Sequence, residues 1–141
     1  MNKRTLISVA ITMGLAACTS IKVDRVDPSY AMKMVCIREN PKVQVDDFVP
    51  VVRDGFSRHS IDTKLYSGAM PDTCQYVLTY TALRSWDFTP YLSHAELRIE
   101  KDGKQIAYAE YHLNGKGGFS LAKWAGTKDK MDPVIDELLR K

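Results

Sequence analysis

Apolar and polar residues alternate with period two over Cys74 to Trp86. That pattern puts Tyr76, Leu78, Tyr80 and Ala82 on one face of a strand and Val77, Thr79, Thr81 and Leu83 on the other. Two more strands follow, Tyr91 to Glu100 and Lys104 to Leu113, joined around Lys101-Asp102-Gly103. Burial sets the register between them. A three-residue loop with Gly103 left-handed pairs Glu100 with Lys104 and gathers Ala95, Leu97, Ile99, Ala107, Ala109, Tyr111 and Leu113 on one face. A two-residue Asp-Gly turn mixes the faces, so the bulged loop is expected, with His94 opposite Glu110.

Upstream, Met32 to Arg38 is a short apolar run, rich enough in β-branched residues to read as a strand. Phe48, Val51, Val52, Gly55, Phe56 and His59 then recur at helical spacing, behind Asp46-Asp47 and with Pro50 in the first turn. His59 falls at the end of that helix, where it reads as a capping residue. Ile61 to Tyr66 is another strand, and the loop Ser67 to Asp72 leads to Cys74. Residues 19–31 read either as a short tether or as an edge strand starting at Ile21 and Val23 and ended by Pro28. After the glycine-rich loop Asn114 to Gly118, Phe119 to Trp124 is a short strand or helix. A C-terminal helix is capped by Asp129 or Asp132, with Pro133 in its first turn. The order predicts an α+β fold: an antiparallel β-meander sheet with an N-terminal and a C-terminal helix packed on one face. Residues 32–141 form the single domain.

The first 18 residues have a different character. Lys3 and Arg4 precede the apolar stretch Leu6 to Leu15, too short to span a bilayer, which needs about 20 residues. Leu15-Ala16-Ala17-Cys18 resembles the lipobox of bacterial lipoproteins. The resemblance implies a signal peptide over residues 1–17, cleavage before Cys18, a diacylglyceryl group on its thiol and an acylated new N-terminus. Thr19 in place of Asp implies export to the outer membrane, with the domain facing the periplasm. Each buried CH₂ contributes about 0.8 kcal/mol, so two or three acyl chains are a permanent anchor. Small α+β domains of this kind also occur in envelope-assembly lipoproteins and in auxiliary lipoproteins of envelope transporters. That analogy concerns the fold, which does not fix function.

Export changes how charge and cysteine are read. The full chain carries 20 Lys and Arg against 17 Asp and Glu, net +3. Lys3 and Arg4 leave with the signal peptide, and the mature chain is close to +1, which supports no nucleic-acid partner. With Cys18 committed to lipid, Cys36 and Cys74 remain as an even pair in an oxidising compartment and are expected to form a disulfide. Two buried thiols or a shared metal site are the other readings. Neither cysteine sits in a CxxC pair.

Catalytic signals are sparse. No Gly-x-Ser-x-Gly occurs, Ser57-Arg58-His59-Ser60 is not a triad, and Asn114 to Gly118 lacks the Lys-Ser/Thr of a phosphate loop. His94, Glu96, Glu110 and His112 share one strand face, and this makes His94 and His112 candidate zinc ligands. The same pattern is what any solvated sheet face shows, and the expectation is no metal and no cofactor. Trp86, Phe88 and Tyr91 crowd one turn, with Trp124 beyond the glycine loop. Exposed, they would anchor a partner protein, a glycan or a membrane; turned inward, they would plug the end of the fold. The expected function is a non-catalytic binding or structural role in envelope assembly. Its partners are the membrane, through acyl chains on Cys18, and an unidentified envelope protein. The alternatives are an inhibitor or immunity-type module restraining a lytic enzyme or toxin, and a metal-dependent enzyme.

Overall fold

The apolar rows of the strands meet two helices on a single face of a mixed sheet. The computed structural model describes residues 19–141; the expected signal peptide, residues 1–17, and Cys18 lie outside the described residues. The strands are β1 (Thr19–Asp24), β2 (Met34–Arg38), β3 (Asp62–Tyr66), β4 (Tyr76–Asp87), β5 (Thr89–Lys101) and β6 (Lys104–Leu113). The helices are α1 (Phe48–Arg58) and α2 (Thr127–Leu138). The strand order across the sheet is β1-β6-β5-β4-β2-β3.

The α+β class is as expected, and β4, β5 and β6 form the antiparallel meander. The rest of the sheet is not antiparallel. β2 pairs in parallel with both β3 and β4. The reason is the connection: α1 carries the chain from β2 to β3 across one face, and a crossover of that kind returns the next strand in the same direction. Residues 19–24 are an edge strand, paired antiparallel with β6 from Thr19↔Leu113 to Asp24↔Tyr108. Of the two readings of residues 19–31, the described structure shows the edge strand, and Thr19–Asp24 is part of the sheet. The segment after β1 is tied to α2, with Val26 N–H donating to Leu138 O at 3.0 Å and Arg25 paired with Glu137.

The core lies between sheet and helices. Ile37, Leu78, Leu97, Ile99, Phe48, Phe56, Met131, Ile135 and Leu138 are fully buried there. Helix α1 follows its sequence pattern closely, and His59 caps its C-terminus. Arg58 and His59 reach across to α2, where Asp136 Oδ1 lies 2.9 Å from His59 Nε2 and Arg58 lies 3.1 Å from both Asp132 and Asp136. Helix α2 departs from expectation. It starts at Thr127, with Gly126 as N-cap, and Pro133 sits inside it rather than in its first turn. An interior proline removes one backbone hydrogen bond. The early start is sustained by burial of Met131 and by Thr127 Oγ1 donating to Asp47 Oδ1 at 2.9 Å.

On the opposite face a small cluster of Tyr66 and Val77 surrounds Cys36 and Cys74. These two cysteines form a disulfide, with Cα atoms 5.7 Å apart, linking β2 to the segment that enters β4.

The β5–β6 hairpin corrects the expected loop. Lys101 pairs with Lys104, so the turn is the two-residue Asp102-Gly103, both left-handed at φ 50° and 74°. Alone, that turn would mix the faces. A bulge repairs it: Glu100 pairs with Gln105, but Ile99 pairs with Ala107, leaving Ile106 as the extra residue. The apolar faces therefore fall as expected, while cross-strand partners shift by two. His94 stands opposite His112, and Glu96 stands opposite Glu110.

Candidate functional site

The β4–β5 hairpin narrows to a single turning residue. Trp86 pairs with Pro90 and Asp87 with Thr89, leaving Phe88 at φ 61°. A bulky residue in the left-handed region is uncommon and strained. Its ring points away from the fold: Phe88 is 87% exposed, and Trp86 is 72% exposed. The four aromatics named from sequence thus separate. Trp86 and Phe88 face outward. Tyr91 turns inward and is buried, which removes it as a contact residue. Trp124 is half-buried beneath the tip, its ring 6.3 Å from Phe88.

A second loop braces the hairpin. From Gly115 to Gly118 four successive residues have positive φ, which folds the chain back under the tip. Glycine is required at Gly117 in particular, where a Cβ would stand 2.7 Å from Lys123 Cβ. Phe119 is fully exposed beyond the glycines, and Leu121, in the helical turn Leu121–Trp124, is 78% exposed. Both lie in the segment expected as a short strand or helix, and neither is among the aromatics named as contact candidates. The signal for both was position, two apolar residues directly after a glycine loop.

Buried polar groups hold this loop in place. Lys123 donates to the Asp87 carboxylate and, at 3.0 Å, to Gly118 O, with its ammonium 4.5 Å from the Trp124 ring centre. Trp124 Nε1 donates to Asp87 O at 3.0 Å, and Tyr91 OH donates to Lys116 O at 3.0 Å. Deeper, Lys130 donates to Leu92 O at 2.9 Å and to Lys123 O, beside the rings of Tyr91 and Tyr111. No carboxylate accompanies it in those contacts, and burial pushes its pKa down to about 8. The exposed rings thus stand on a pinned platform.

The histidine pair lies on the helix-free face. His94 Nδ1 is 3.2 Å from His112 Nδ1, and His94 Nε2 is 3.1 Å from Glu96 Oε1. Desolvation raises the Glu96 carboxyl, but the hydrogen bonds and charges of Arg98 and His94 together outweigh it and hold it below the usual carboxylate range. Glu110 points to Tyr108, whose hydroxyl donates to it at 2.8 Å. Structure therefore joins His94, His112 and Glu96 and draws Glu110 away. Among the described residues no three His, Cys, Asp or Glu side chains are arranged to hold a metal ion.

An open groove of about 1080 Å³ runs between α1 and edge strand β3, past Asn40, Pro50, Arg53, Thr63, Leu65 and Tyr80. Its lining contains no histidine or cysteine. No described helix is long and apolar enough to cross a membrane.

No protein-family model and no curated protein sequence matches the chain. Solved structures do resemble it. A variant PelC dodecamer from Paraburkholderia phytofirmans is 12% identical, with 87% of this chain and 99% of that chain covered and a TM-score of 0.54. A second PelC dodecamer from the same organism is 10% identical, with the same coverage and a TM-score of 0.53. A minor lipoprotein from Acinetobacter baumannii overlaps more weakly, at 13% identity, 75% and 88% coverage and a TM-score of 0.37. At such identities the likeness to the PelC chains is one of fold.

Proposed function

We propose that this chain is an envelope lipoprotein, anchored through acyl chains on Cys18 at the outer membrane, with its domain facing the periplasm and a non-catalytic binding or assembly role. The observation that carries the reading is the position of Thr19. The lipobox ends at Cys18, and the very next residue is already paired with Leu113 in the sheet. An acylated Cys18 would therefore hold the fold directly against the bilayer, with no leash between. The bonded Cys36–Cys74 pair is in keeping with an oxidising compartment. The shared fold with chains that form PelC dodecamers favours assembly with further copies of this chain.

The test uses the whole chain expressed in a bacterial envelope. The wild-type protein should fractionate with membranes and carry the added mass of its acyl groups. Cys18→Ala should lose both. A wild-type chain found soluble and without acyl mass would sink the anchor. Native mass spectrometry of the detergent-extracted protein then reads its assembly. Multiple copies support an assembly role, whereas a monomer bound to one lytic enzyme or toxin favours the inhibitor reading.

A further inference from the structure

We infer that the end of the sheet formed by the β4–β5 tip and the Gly115–Leu121 loop dips into the bilayer interface, so that lipid is bound by protein side chains as well as by the anchor. This rests on the lipoprotein reading above and adds a contact surface to it.

Three observations converge. The first is where the apolar exposure lies. Among the described residues the exposed large hydrophobics are Ile21, Met70, Leu83, Trp86, Phe88, Phe119 and Leu121. All but Met70 gather at one end. Leu83, His94, His112 and Ser20 form one row across the sheet, and Ile21 lies one row inward, paired with Tyr111. Trp86 and Phe88 form the tip beyond that row, and Phe119 and Leu121 sit on the loop braced against it.

The second is where the undescribed chain joins. Thr19 pairs with Leu113, the last residue of β6, and the Asn114–Gly118 loop follows at once. The Cα of Cys18 is only about 3.8 Å from that of Thr19. Its acyl chains would leave the fold at the same end that carries the exposed rings. Surface of this kind at an unrelated location would call for another occupant. Here the lipid is covalently delivered to it.

The third is charge. The tip and loop, residues 85–90 and 114–124, carry three ionisable side chains, Asp87, Lys116 and Lys123. Asp87 is neutralised by Lys123, which leaves Lys116 exposed as a partner for anionic headgroups. At the opposite end the β5–β6 turn is crowded with Arg98, Glu100, Lys101, Asp102 and Lys104. Tryptophan and phenylalanine flanked by a lysine suit an interfacial depth, with rings at headgroup level. The pinned platform beneath them lowers the ordering needed on contact.

The chain has two tryptophans, so fluorescence can locate the tip. The full-length protein is purified from membranes, its acyl mass is recorded, and it is reconstituted into vesicles of phosphatidylethanolamine and phosphatidylglycerol containing brominated lipid. In a Trp124→Phe variant Trp86 reports alone, and its emission should shift blue and lose intensity to the bromines. In the complementary Trp86→Phe variant, half-buried Trp124 should be quenched much less. Should Trp124→Phe disturb the fold, a cysteine-free spin or photo-crosslinking label at Phe88 reads the same contact. Acylated protein whose Trp86 stays unquenched, or whose Phe88 label attaches to a protein in place of lipid, overturns the docking surface and leaves the anchor standing. If no acyl mass is found, the anchor falls first. The same unacylated chain is then mixed with the vesicles, and absence of quenching removes the docking surface too.

Discussion

Gly55 of α1 lies directly against Ile135 of α2: a Cβ on Gly55 would stand 2.8 Å from Ile135 Cγ2 and 2.9 Å from Cδ1. Ile135 is fully buried, so any shift must be made within the packed core. Glycine inside a helix ordinarily costs about 1 kcal/mol relative to alanine. Here the close approach of two helices outweighs that cost. Gly55→Ala should destabilise by about 1–3 kcal/mol through overpacking, despite its better helix propensity. Chemical denaturation checks this, and adding Ile135→Val should recover part of the loss. A more stable Gly55→Ala would show that the helices part easily.

Cys36 and Cys74 close a loop with a sequence separation of 38. The chain-entropy relation gives roughly 4 kcal/mol for a loop of that size. Replacing both by serine should lower stability by about that amount. A reductant should produce the same loss in the wild-type protein and none in the double variant.

Much of the fold was legible because burial imposes period. The rows Tyr76-Leu78-Tyr80-Ala82 and Ala95-Leu97-Ile99 are buried as their alternation demands, and α1 lies where its spacing put it. Parallel pairing of β2 was signalled only by the strand–helix–strand order, which the stronger meander pattern overshadowed. The start of α2 was misplaced because Pro133 invites a first-turn reading. A buried Met131 and the Thr127–Asp47 hydrogen bond outweigh that preference, and both are tertiary. At the candidate site, composition identified the aromatics but not their direction. Tyr91 and Phe88 are three residues apart, and only the hairpin geometry sends one in and the other out.

Stability should vary with pH in three stages. Asp54 and Asp136 lie below the usual carboxylate range, chiefly through hydrogen bonds to Lys128 and to His59 respectively. Their contribution is present above the unfolded pKa and is lost as pH falls through the folded one, so stability should drop below about pH 4. Lys130 has a folded pKa of about 8, below its unfolded value of 10.5. Between those values the unfolded chain binds more protons, and stability should rise with pH. Tyr108 is pushed up to about 12, foremost by desolvation and then by its hydrogen bond to Glu110. The native state keeps that proton longer, so stability should fall again above about pH 10. Melting temperature measured across this range tests the profile, and Lys130→Met should remove the middle rise.

Lys123 links three parts of the tip at once: Asp87, Gly118 O and the Trp124 ring. Lys123→Met should cost about 1–3 kcal/mol, because a carboxylate and a carbonyl lose their donor. Asp87→Asn should cost less, since Asp87 is partly exposed and an amide oxygen still accepts. Hydrogen exchange over residues 114–124 should quicken in the lysine variant and change little in the β5–β6 hairpin. Equal effects of the two substitutions would mean that the ion pair alone secures the loop.

The bulge at Ile106 gives the β5–β6 hairpin a parity. The two-residue turn contributes an odd offset, the extra residue contributes another, and their sum returns every buried side chain to the helix face. Deleting Ile106 alone would turn either the whole of β6 or its partner inside out, presenting Tyr108 and Glu110 to the core in place of Ala107, Ala109 and Tyr111. Inserting one residue in the turn would do the same. Changes of length in this hairpin are therefore tolerable only in compensating pairs, and the fold can lose its bulge only by gaining a third residue in the Asp102-Gly103 turn.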